Sequence, residues 1–324
     1  MDVIEYRSEK NKELEESLRK EERNEKRIKL GKKILKITLI VILVISFIFI
    51  LMHYVGTKGL VVKEYKVESN KLPTEFHGFK IVQFSDLHYL TTMKNKEVKK
   101  IVNKINEINP DIVVFTGDLI AENKEITKDQ IDFLTKQLNK INSKLGKFAV
   151  KGNEDYNKNY DAIMNKTDFK IINNSYEVIY YNGTTPILLT GSGSILKNDS
   201  DVNKAFSYND LENVYTISLI HEPDVTDNII SYNPDLILAG HSHNGQIRLP
   251  LIGGLVKFDE AKKYNNPKYN LDDTTLFISG GLGTSKYEFR LFNHPSINFY
   301  RLVKGTNWCF LFFYFYIKYV RGDI

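Results

Sequence analysis

Five short apolar runs in this chain of 324 residues each end in side chains that can bind a metal ion. Each run is rich in β-branched residues and lacks helical periodicity, which is typical of a buried strand. The runs with their polar ends cover residues 80–88, 111–119, 148–153, 215–222 and 235–243. Since strand ends in open α/β folds meet at one edge of a sheet, we expect these polar residues to lie together. Five such ends in one α/β domain predict a hydrolase with two metal ions.

The polar ends offer oxygen and imidazole donors. The side chains of Asp86 and His88 point from one turn into the same space. Asp118 can bridge two ions because each of its carboxylate oxygens can bind one metal. The other candidate ligands are Asn153, His221, His241 and His243. Such donors suit Mn, Fe or Zn. Two ions about 3.5–4 Å apart lower the pKa of a bridging water and clamp the oxygens of an in-line displacement, which suits phosphate esters. One such residue alone is usually a turn or cap, so the prediction depends on the set.

The N-terminal part has the charge pattern of a membrane anchor. Residues 37–55 form an uncharged run, which has the length that a helix needs to cross a bilayer. Seven Lys and Arg residues lie between positions 23 and 36, whereas basic residues are sparse after the run. The positive-inside rule therefore predicts a single-pass protein of the cell membrane, with a cytoplasmic N-terminus and an extracytoplasmic domain. The alternative is a buried core helix. A cleaved signal peptide is not expected, because the run is too long and no small-residue cleavage site follows it.

The remaining sequence predicts one domain after the anchor. The predicted segments are a charged cytoplasmic stretch (1–36), the anchor (37–55), a linker (56–75), the catalytic domain (76–304) and an apolar tail (305–324). The tail either contacts the membrane, packs on the domain or is an unselected extension, and it receives no function here. Within the domain, helical spacing at 94–109 and 127–141 alternates with strands, which favours mixed sheets covered by helices. Four further strands (176–181, 186–191, 275–280 and 297–303) are expected to pair antiparallel.

Composition excludes several other classes of protein. The 45 basic and 40 acidic residues are interspersed, so no nucleic-acid partner is expected. The single cysteine, Cys309, excludes an internal disulfide framework and a cysteine-rich zinc module.

The order Asp-x-His, Gly-Asp, Gly-Asn, His and Gly-His-x-His resembles the calcineurin-like metallophosphoesterases, in particular their membrane-anchored bacterial branch. The resemblance runs from about Lys80 to about Phe299, and the block at 240–250 (GHSHNGQIRLP) is its most specific part. It implies two facing mixed β-sheets flanked by helices and a metal-bound water as nucleophile. It also implies two metal sites that share Asp118. The first site is held by Asp86, His88 and His243, and the second by Asn153, His221 and His241.

One position departs from the family pattern. Where the family has Gly-Asn-His followed by an acidic residue, this chain has Gly152, Asn153, Glu154 and Asp155. The family histidine stabilises or protonates the leaving group, so Asn153, Glu154 and Asp155 are the candidate catalytic residues. We expect the Glu154 carboxylate to repel an anionic substrate, and loss of a general acid costs about 10²–10⁴-fold in rate. Alternatively, Glu154 is held protonated by Asp155 and the substrate phosphate and is itself the acid, or it takes no part.

The predicted function is hydrolysis of a phosphodiester or pyrophosphate bond at the membrane surface, with lipid-linked substrates favoured by the position of the anchor. Asn244 and Arg248, beyond the metal histidines, are candidate substrate contacts, at even odds with a structural role. The alternative function is a catalytically weakened, metal-containing binding or scaffold protein at the cell envelope.

Overall fold

The computed structural model describes residues 3–122, 124–208, 213–285 and 287–305. The predicted apolar tail therefore lies outside the described residues from position 306 onward. The chain divides into two compact units, with the boundary between residues 51 and 52.

The first unit is formed by helix α1, Val3–Tyr54, whose last turn belongs to the second unit. The predicted span 37–55 falls within and just beyond α1, and none of the apolar window is buried by protein. In the part of the chain that the structure describes, α1 is the one helix whose length and composition would let it cross a membrane. Ion pairs four residues apart, such as Lys26 with Glu22 at 2.8 Å, support its charged half.

The second unit contains fourteen described strands and five further helices. The strands are β1 (Val61–Ser69), β2 (Lys80–Phe84), β3 (Ile112–Phe115), β4 (Gly146–Ala149), β5 (Phe169–Ile171), β6 (Ser175–Ile179), β7 (Ile187–Gly191), β8 (Thr216–Leu219), β9 (Leu236–Ala239), β10 (Arg248–Leu249), β11 (Gly253–Gly254), β12 (Lys268–Leu271), β13 (Thr274–Ile278) and β14 (Ser296–Lys304). The helices are α2 (Asn95–Ile108), α3 (Lys128–Asn139), α4 (Lys158–Met164), α5 (Val202–Ala205) and α6 (Thr226–Ile229). Short 3₁₀ turns at Thr74–Phe76, Ile195–Lys197, Pro223–Val225, Ile230–Tyr232 and His243–Gly245 complete the elements.

Two six-stranded mixed sheets face each other. The first has the order β1-β14-β2-β3-β4-β5, and the second has the order β12-β13-β9-β8-β7-β6. Apolar side chains of both sheets, such as Val114 from β3 and Leu238 from β9, share one buried core. Helices α2, α3 and α4 cover the outer face of the first sheet, and α6 packs on the outer face of the second. The predicted fold class is therefore confirmed, and the central strands are buried on both faces, as parallel strands are expected to be.

The helix ends follow local sequence signals. In α2, buried residues recur at Val98, Ile101, Val102 and Ile105, which is the spacing of one helical face. This helix ends where Asn109 adopts a left-handed conformation, φ 53°, immediately before a proline. Helix α3 begins at a capping box in which the side chains of Thr127 and Gln130 each accept a hydrogen bond from the backbone of the other residue.

The structure corrects the predicted linker. Residues 61–69 within the predicted 56–75 linker form strand β1, which pairs parallel to β14 over its whole length. Its alternation of Lys and Glu with Val and Tyr belongs to an edge strand with one solvated face, and its partner lies more than 200 residues away in sequence. The predicted antiparallel pairing is right for β6 with β7, but β13 also pairs parallel to β9.

Candidate metal centre

All seven predicted ligands follow the carboxyl ends of parallel strands. Asp86 and His88 follow β2, Asp118 follows β3 and Asn153 follows β4. The remaining ligands, on the second sheet, are His221 after β8 and His241 and His243 after β9. Strands β2, β3 and β4 are hydrogen-bonded neighbours, as are β8 and β9, so their loops emerge side by side. The structure brings the five ends together across the two sheets.

The first cluster consists of Asp86, His88 and His243, whose ligand atoms all lie within 4.8 Å of one another. Nε2 of His88 is 3.1 Å from Nε2 of His243. The same nitrogen of His243 is 3.4 Å from Oδ1 of Asp86. Three buried donor atoms thus converge on one point, as a cation site requires.

The second cluster consists of Asp118, His221 and His241, again within 4.8 Å of one another. Oδ2 of Asp118 is 3.2 Å from Nε2 of His221 and 3.8 Å from Nε2 of His88. The carboxylate of Asp118 therefore faces both clusters, which is the placement predicted for a bridging ligand.

Three ligand residues carry buried atoms without a hydrogen-bond partner among the described residues. These atoms are Oδ2 of Asp86, Oδ1 of Asn153 and Nε2 of His221. A buried polar atom left unsatisfied costs about 1–3 kcal/mol. Divalent cations would satisfy all three atoms, so the residues present fit the metal ions that were predicted.

Backbone carbonyls fix the orientation of two ligand rings. Nδ1 of His221 lies 2.6 Å from the carbonyl oxygen of Thr116, which directs Nε2 toward Asp118. Nε2 of His241 lies 2.8 Å from the carbonyl oxygen of Asp259, which leaves Nδ1 to bind a metal. Contacts of this kind set the tautomer and the angle of a ligating imidazole.

The ligand loops hold strained backbone conformations. Asp86, His88, Asp118, His241 and His243 all have positive φ angles, between 38° and 61°. Such conformations cost about 1–3 kcal/mol each in non-glycine residues and cluster at functional sites. Gly117, at φ 91°, lets two loops approach, because a Cβ there would lie 2.4 Å from the amide nitrogen of Gly152.

Neighbouring imidazoles keep the two carboxylates of the clusters ionised. Burial opposes ionisation of Asp118, but the adjacent imidazoles of His221 and His88 hold its pKa at about 2. Burial likewise opposes ionisation of Asp86, and His243 nevertheless keeps its pKa below the usual range. Burial lowers the pKa of His243 to about 4, so this ring is neutral near pH 7. Ionised carboxylates beside a neutral imidazole are the forms that bind cations.

Glu154 is bound to a ligand residue. Its Oε2 accepts a hydrogen bond from Nδ1 of His88 at 3.0 Å and another from the backbone N–H of Glu122 at 2.7 Å. Burial disfavours the charged imidazole, but this carboxylate raises the pKa of His88 to about 9. A carboxylate behind a ligating histidine orients the ring and makes it a stronger donor. The contact gives Glu154 a supporting role that the sequence did not predict, and because its carboxylate also lines the cavity at this site, the expected repulsion of an anionic substrate stays a prediction.

Asp155 holds two loops together. Its buried carboxylate accepts hydrogen bonds from the backbone N–H groups of Asp118, Leu119 and Gly152, at 2.8, 2.8 and 2.9 Å. Burial and the charge of Asp118 raise its pKa to about 7. Both oxygens are directed at backbone amides, so the structure does not support Asp155 as the group that holds a proton on Glu154. Asp155 is a positioning residue.

A cavity of about 530 Å³ opens onto the two clusters. Five predicted ligands line it, together with Thr91, Ala121, Glu122, Lys124, Glu154, Phe258, Ser285 and Glu288. Sequence reasoning did not single out Lys124, Phe258 or Glu288, because they come from loops without any motif.

The two predicted substrate contacts lie elsewhere. Asn244 is buried, and Arg248 donates to its carbonyl oxygen at 2.7 Å and to Oδ1 of Asn266 at 3.0 Å. Neither side chain is among the described residues that line the metal cavity. The burial and the hydrogen bonds therefore favour the structural role that the sequence left open for both residues.

Arg290 stabilises the loops around His243 of the first cluster. The sequence alone did not predict a role for it. Its guanidinium is fully buried and donates to the carbonyl oxygens of Gly280, Gly281, Gly283 and Asn293. The side-chain amide of Asn293 in turn donates to the carbonyl oxygen of His243. These bonds fix the loop on which His243 rests.

Comparison with known proteins agrees with this geometry. Residues 79–245 match the family model described as calcineurin-like phosphoesterase. The uncharacterized metallophosphoesterase YkuE of Bacillus subtilis is 31% identical over 248 residues, covering 75% of this chain and 85% of that protein. The UDP-2,3-diacylglucosamine pyrophosphatase LpxG of Chlamydia muridarum is 26% identical over 302 residues, covering 70% and 85%.

Among solved structures, the calcineurin-like phosphoesterase YfkN of Bacillus subtilis aligns with a TM-score of 0.40 at 15% identity, covering 63% of this chain and 81% of that one. The family match spans just over half of the chain and includes the ligand residues from Asp86 to His243. This chain is a member of the calcineurin-like phosphoesterase family.

Proposed function

We propose that this protein is a membrane-anchored, extracytoplasmic phosphoesterase that holds two divalent ions and hydrolyses a pyrophosphate or phosphodiester bond. The observation that carries the proposal is the convergence of predicted ligands from five strand ends on two adjacent clusters, onto which one cavity opens. The three buried donor atoms that no described protein group satisfies support two cations there. Mn, Fe and Zn suit this mixture of carboxylate, amide and imidazole ligands.

The chain's own residues prepare the site for phosphate. Asp86, His88 and His243 would hold one ion, Asn153, His221 and His241 the other, and Asp118 would set their separation. When bound, such a pair of ions supplies an activated water and positive charge for the phosphoryl oxygens. Lys124 adds a protein cation at the wall of the cavity, where it can draw in an anionic substrate.

The contact between Glu154 and His88 favours a pyrophosphate substrate within this class. The carboxylate that replaces the family histidine orients a ligand, so it does not serve as the proton donor of the leaving group. A phosphate leaving group needs less help from a proton donor than an alkoxide does. The similarity to LpxG, a UDP-2,3-diacylglucosamine pyrophosphatase, points to the same class, and the apolar helix α1 would place the site near lipid-linked substrates.

The alternative of a scaffold protein rested on Glu154 and on the apolar tail. The contact between Glu154 and His88 fits either function, because both need bound metal ions, whereas the similarity to the pyrophosphatase LpxG favours catalysis. We therefore favour the enzyme.

The test is hydrolysis by the full-length protein in detergent with added Mn²⁺. Substrates are UDP-diacylglucosamine and bis-p-nitrophenyl phosphate, and Asp118→Asn is the control. Metal-dependent turnover that the control lacks, faster for the pyrophosphate, supports the proposal. Absence of turnover from a folded protein that binds two ions would contradict it.

A further inference from the structure

An exposed apolar surface lies outside the metal cavity. Leu251, Ile252 and Phe292, here called the apolar tip, are 108%, 72% and 67% exposed. All three line one open depression, beside the ribbon formed by β10 and β11. Water disfavours the exposure of large apolar side chains, so their joint exposure on one surface marks a binding face.

The backbone holds the tip outward. Leu251 has φ 67°, a left-handed conformation that is unfavourable for leucine. This strain displays its whole side chain to the surroundings. A turn that needed only to connect β10 to β11 would place glycine or asparagine there.

The tip lies next to the end of the predicted membrane span. Residues 52–57, which include the last four residues of the apolar run 37–55, belong to the same compact unit as the tip. The carbonyl oxygen of Met52 accepts a hydrogen bond from the backbone N–H of Arg290 at 3.1 Å. Nδ1 of His53 lies 2.9 Å from the carbonyl oxygen of Glu288. These two contacts place the loop at 287–292 beside the last residues of the apolar run.

The same loop carries the apolar tip. Phe292 is its last residue, and the backbone N–H of Arg248 in β10 donates to the carbonyl oxygen of Leu291 at 2.9 Å. The buried side chain of Gln246 donates to the carbonyl oxygens of Tyr287 and Phe289, at 2.7 and 3.1 Å. Ribbon, loop and anchor end are thus one hydrogen-bonded assembly.

This assembly also forms a wall of the metal cavity. Glu288 and Ser285 line the cavity, and the backbone N–H of Ser285 donates to Oε1 of Gln246 at 3.3 Å. The apolar tip is therefore connected through hydrogen bonds to residues that line the metal cavity.

We propose that Leu251, Ile252 and Phe292 insert into the membrane leaflet from which the anchor emerges. This second contact presents the metal cavity to phosphate groups at the level of the lipid headgroups. It rests on the proposed membrane anchoring, and its partner is the lipid bilayer itself. Insertion of a few apolar side chains beside an existing anchor requires no further protein partner.

The experiment uses the full-length protein with Cys309 replaced by serine, reconstituted in vesicles of phosphatidylcholine and phosphatidylglycerol. A single cysteine in Ile252→Cys carries an environment-sensitive fluorophore. Tyr180→Cys is the control, because this exposed residue follows β6 at the opposite edge of the second sheet from the metal clusters. The proposal predicts a blue shift and quenching by doxyl-labelled lipids at position 252 and neither at position 180. An unquenched label at 252 would overturn it.

Two further measurements distinguish membrane insertion from contact of the apolar tip with a second protein copy, and from a general loss of activity. A blue shift in detergent that grows with protein concentration, without lipid quenching, would identify a second copy and reject the bilayer. In an active protein, Leu251→Asp should slow hydrolysis of a vesicle-borne lipid pyrophosphate while turnover of soluble bis-p-nitrophenyl phosphate stays unchanged. Equal loss on both substrates would contradict the proposal. The quenching result does not depend on turnover, so failure of the proposed activity remains distinguishable.

Discussion

Oε2 of Glu154 lies 3.0 Å from Nδ1 of His88. Glu154 occupies the position at which the family pattern has a histidine. The carboxylate is only 10% exposed and also receives the backbone N–H of Glu122. The sequence alone suggests that this departure weakens catalysis, whereas in the structure it supplies a hydrogen bond to a predicted metal ligand. This relationship decides how the substitution should be tested, because it predicts an effect on metal affinity as well as on rate.

Glu154→Gln should weaken binding of the ion held by His88 by about 10–100-fold, the usual effect of losing a carboxylate behind a ligating histidine. The measurement is competition with a calibrated chelator at pH 7. Glu122→Gln is the matched control, since that side chain lines the same cavity and its backbone alone contacts Glu154. Unchanged affinity in Glu154→Gln would show that the contact does not support the metal.

Asp155→Asn should destabilise the protein by about 1–3 kcal/mol, because an amide cannot accept on both sides and leaves buried N–H groups unsatisfied. Thermal unfolding of the metal-free protein reports this loss. Asp161→Asn, which breaks only the half-exposed ion pair with Lys151, should change stability by no more than about 0.5 kcal/mol. Equal effects of the two substitutions would contradict the positioning role of Asp155.

Gly117→Ala should abolish binding of the second ion. The added Cβ would lie 2.4 Å from the amide nitrogen of Gly152 and 2.5 Å from Nδ1 of His221. Gly59→Ala provides the control, because Gly59 has a similar φ of 83° and no atom within 4 Å of the added Cβ. Metal analysis of the purified proteins should find two ions in Gly59→Ala and fewer in Gly117→Ala. Two ions in both would refute the close-approach argument.

Lys63→Met should stabilise the protein at pH 7 by up to about 3 kcal/mol. Burial and the charges of Arg290 and Arg248 lower the pKa of Lys63 from 10.5 to about 8. A lysine whose folded pKa is depressed destabilises the fold fully below pH 8, and the penalty disappears as the pH rises toward 10.5.

The midpoint of thermal unfolding at pH 7 and pH 10 checks this. The gain from Lys63→Met should shrink at the higher pH, while Lys66→Met, on the exposed face of the same strand, should change little at either. A gain that is independent of pH would show that charge burial is not the cause.

The ligand set could be predicted because each ligand follows its own apolar strand, and parallel strands align their carboxyl ends without further information. The role of Glu154 could not, since it depends on the rotamer that reaches back from the loop after β4 to His88. Strand β1 was missed for a related reason, because its pairing partner β14 comes from the far end of the domain. The choice between a substrate contact and a structural role for Arg248 could not be made from its nearness in sequence to His243, because it depends on its hydrogen bonds to Asn244 and Asn266.

The central claim is that two ions act together in one site. The most direct measurement is stepwise titration of the metal-free, full-length protein with Mn²⁺, following bound metal and hydrolysis of bis-p-nitrophenyl phosphate in the same samples. If both ions are needed, turnover should be small with one equivalent bound, full with two, and absent in Asp118→Asn at any loading. Full turnover with one equivalent, or an Asp118→Asn variant as active as the natural chain, would contradict it.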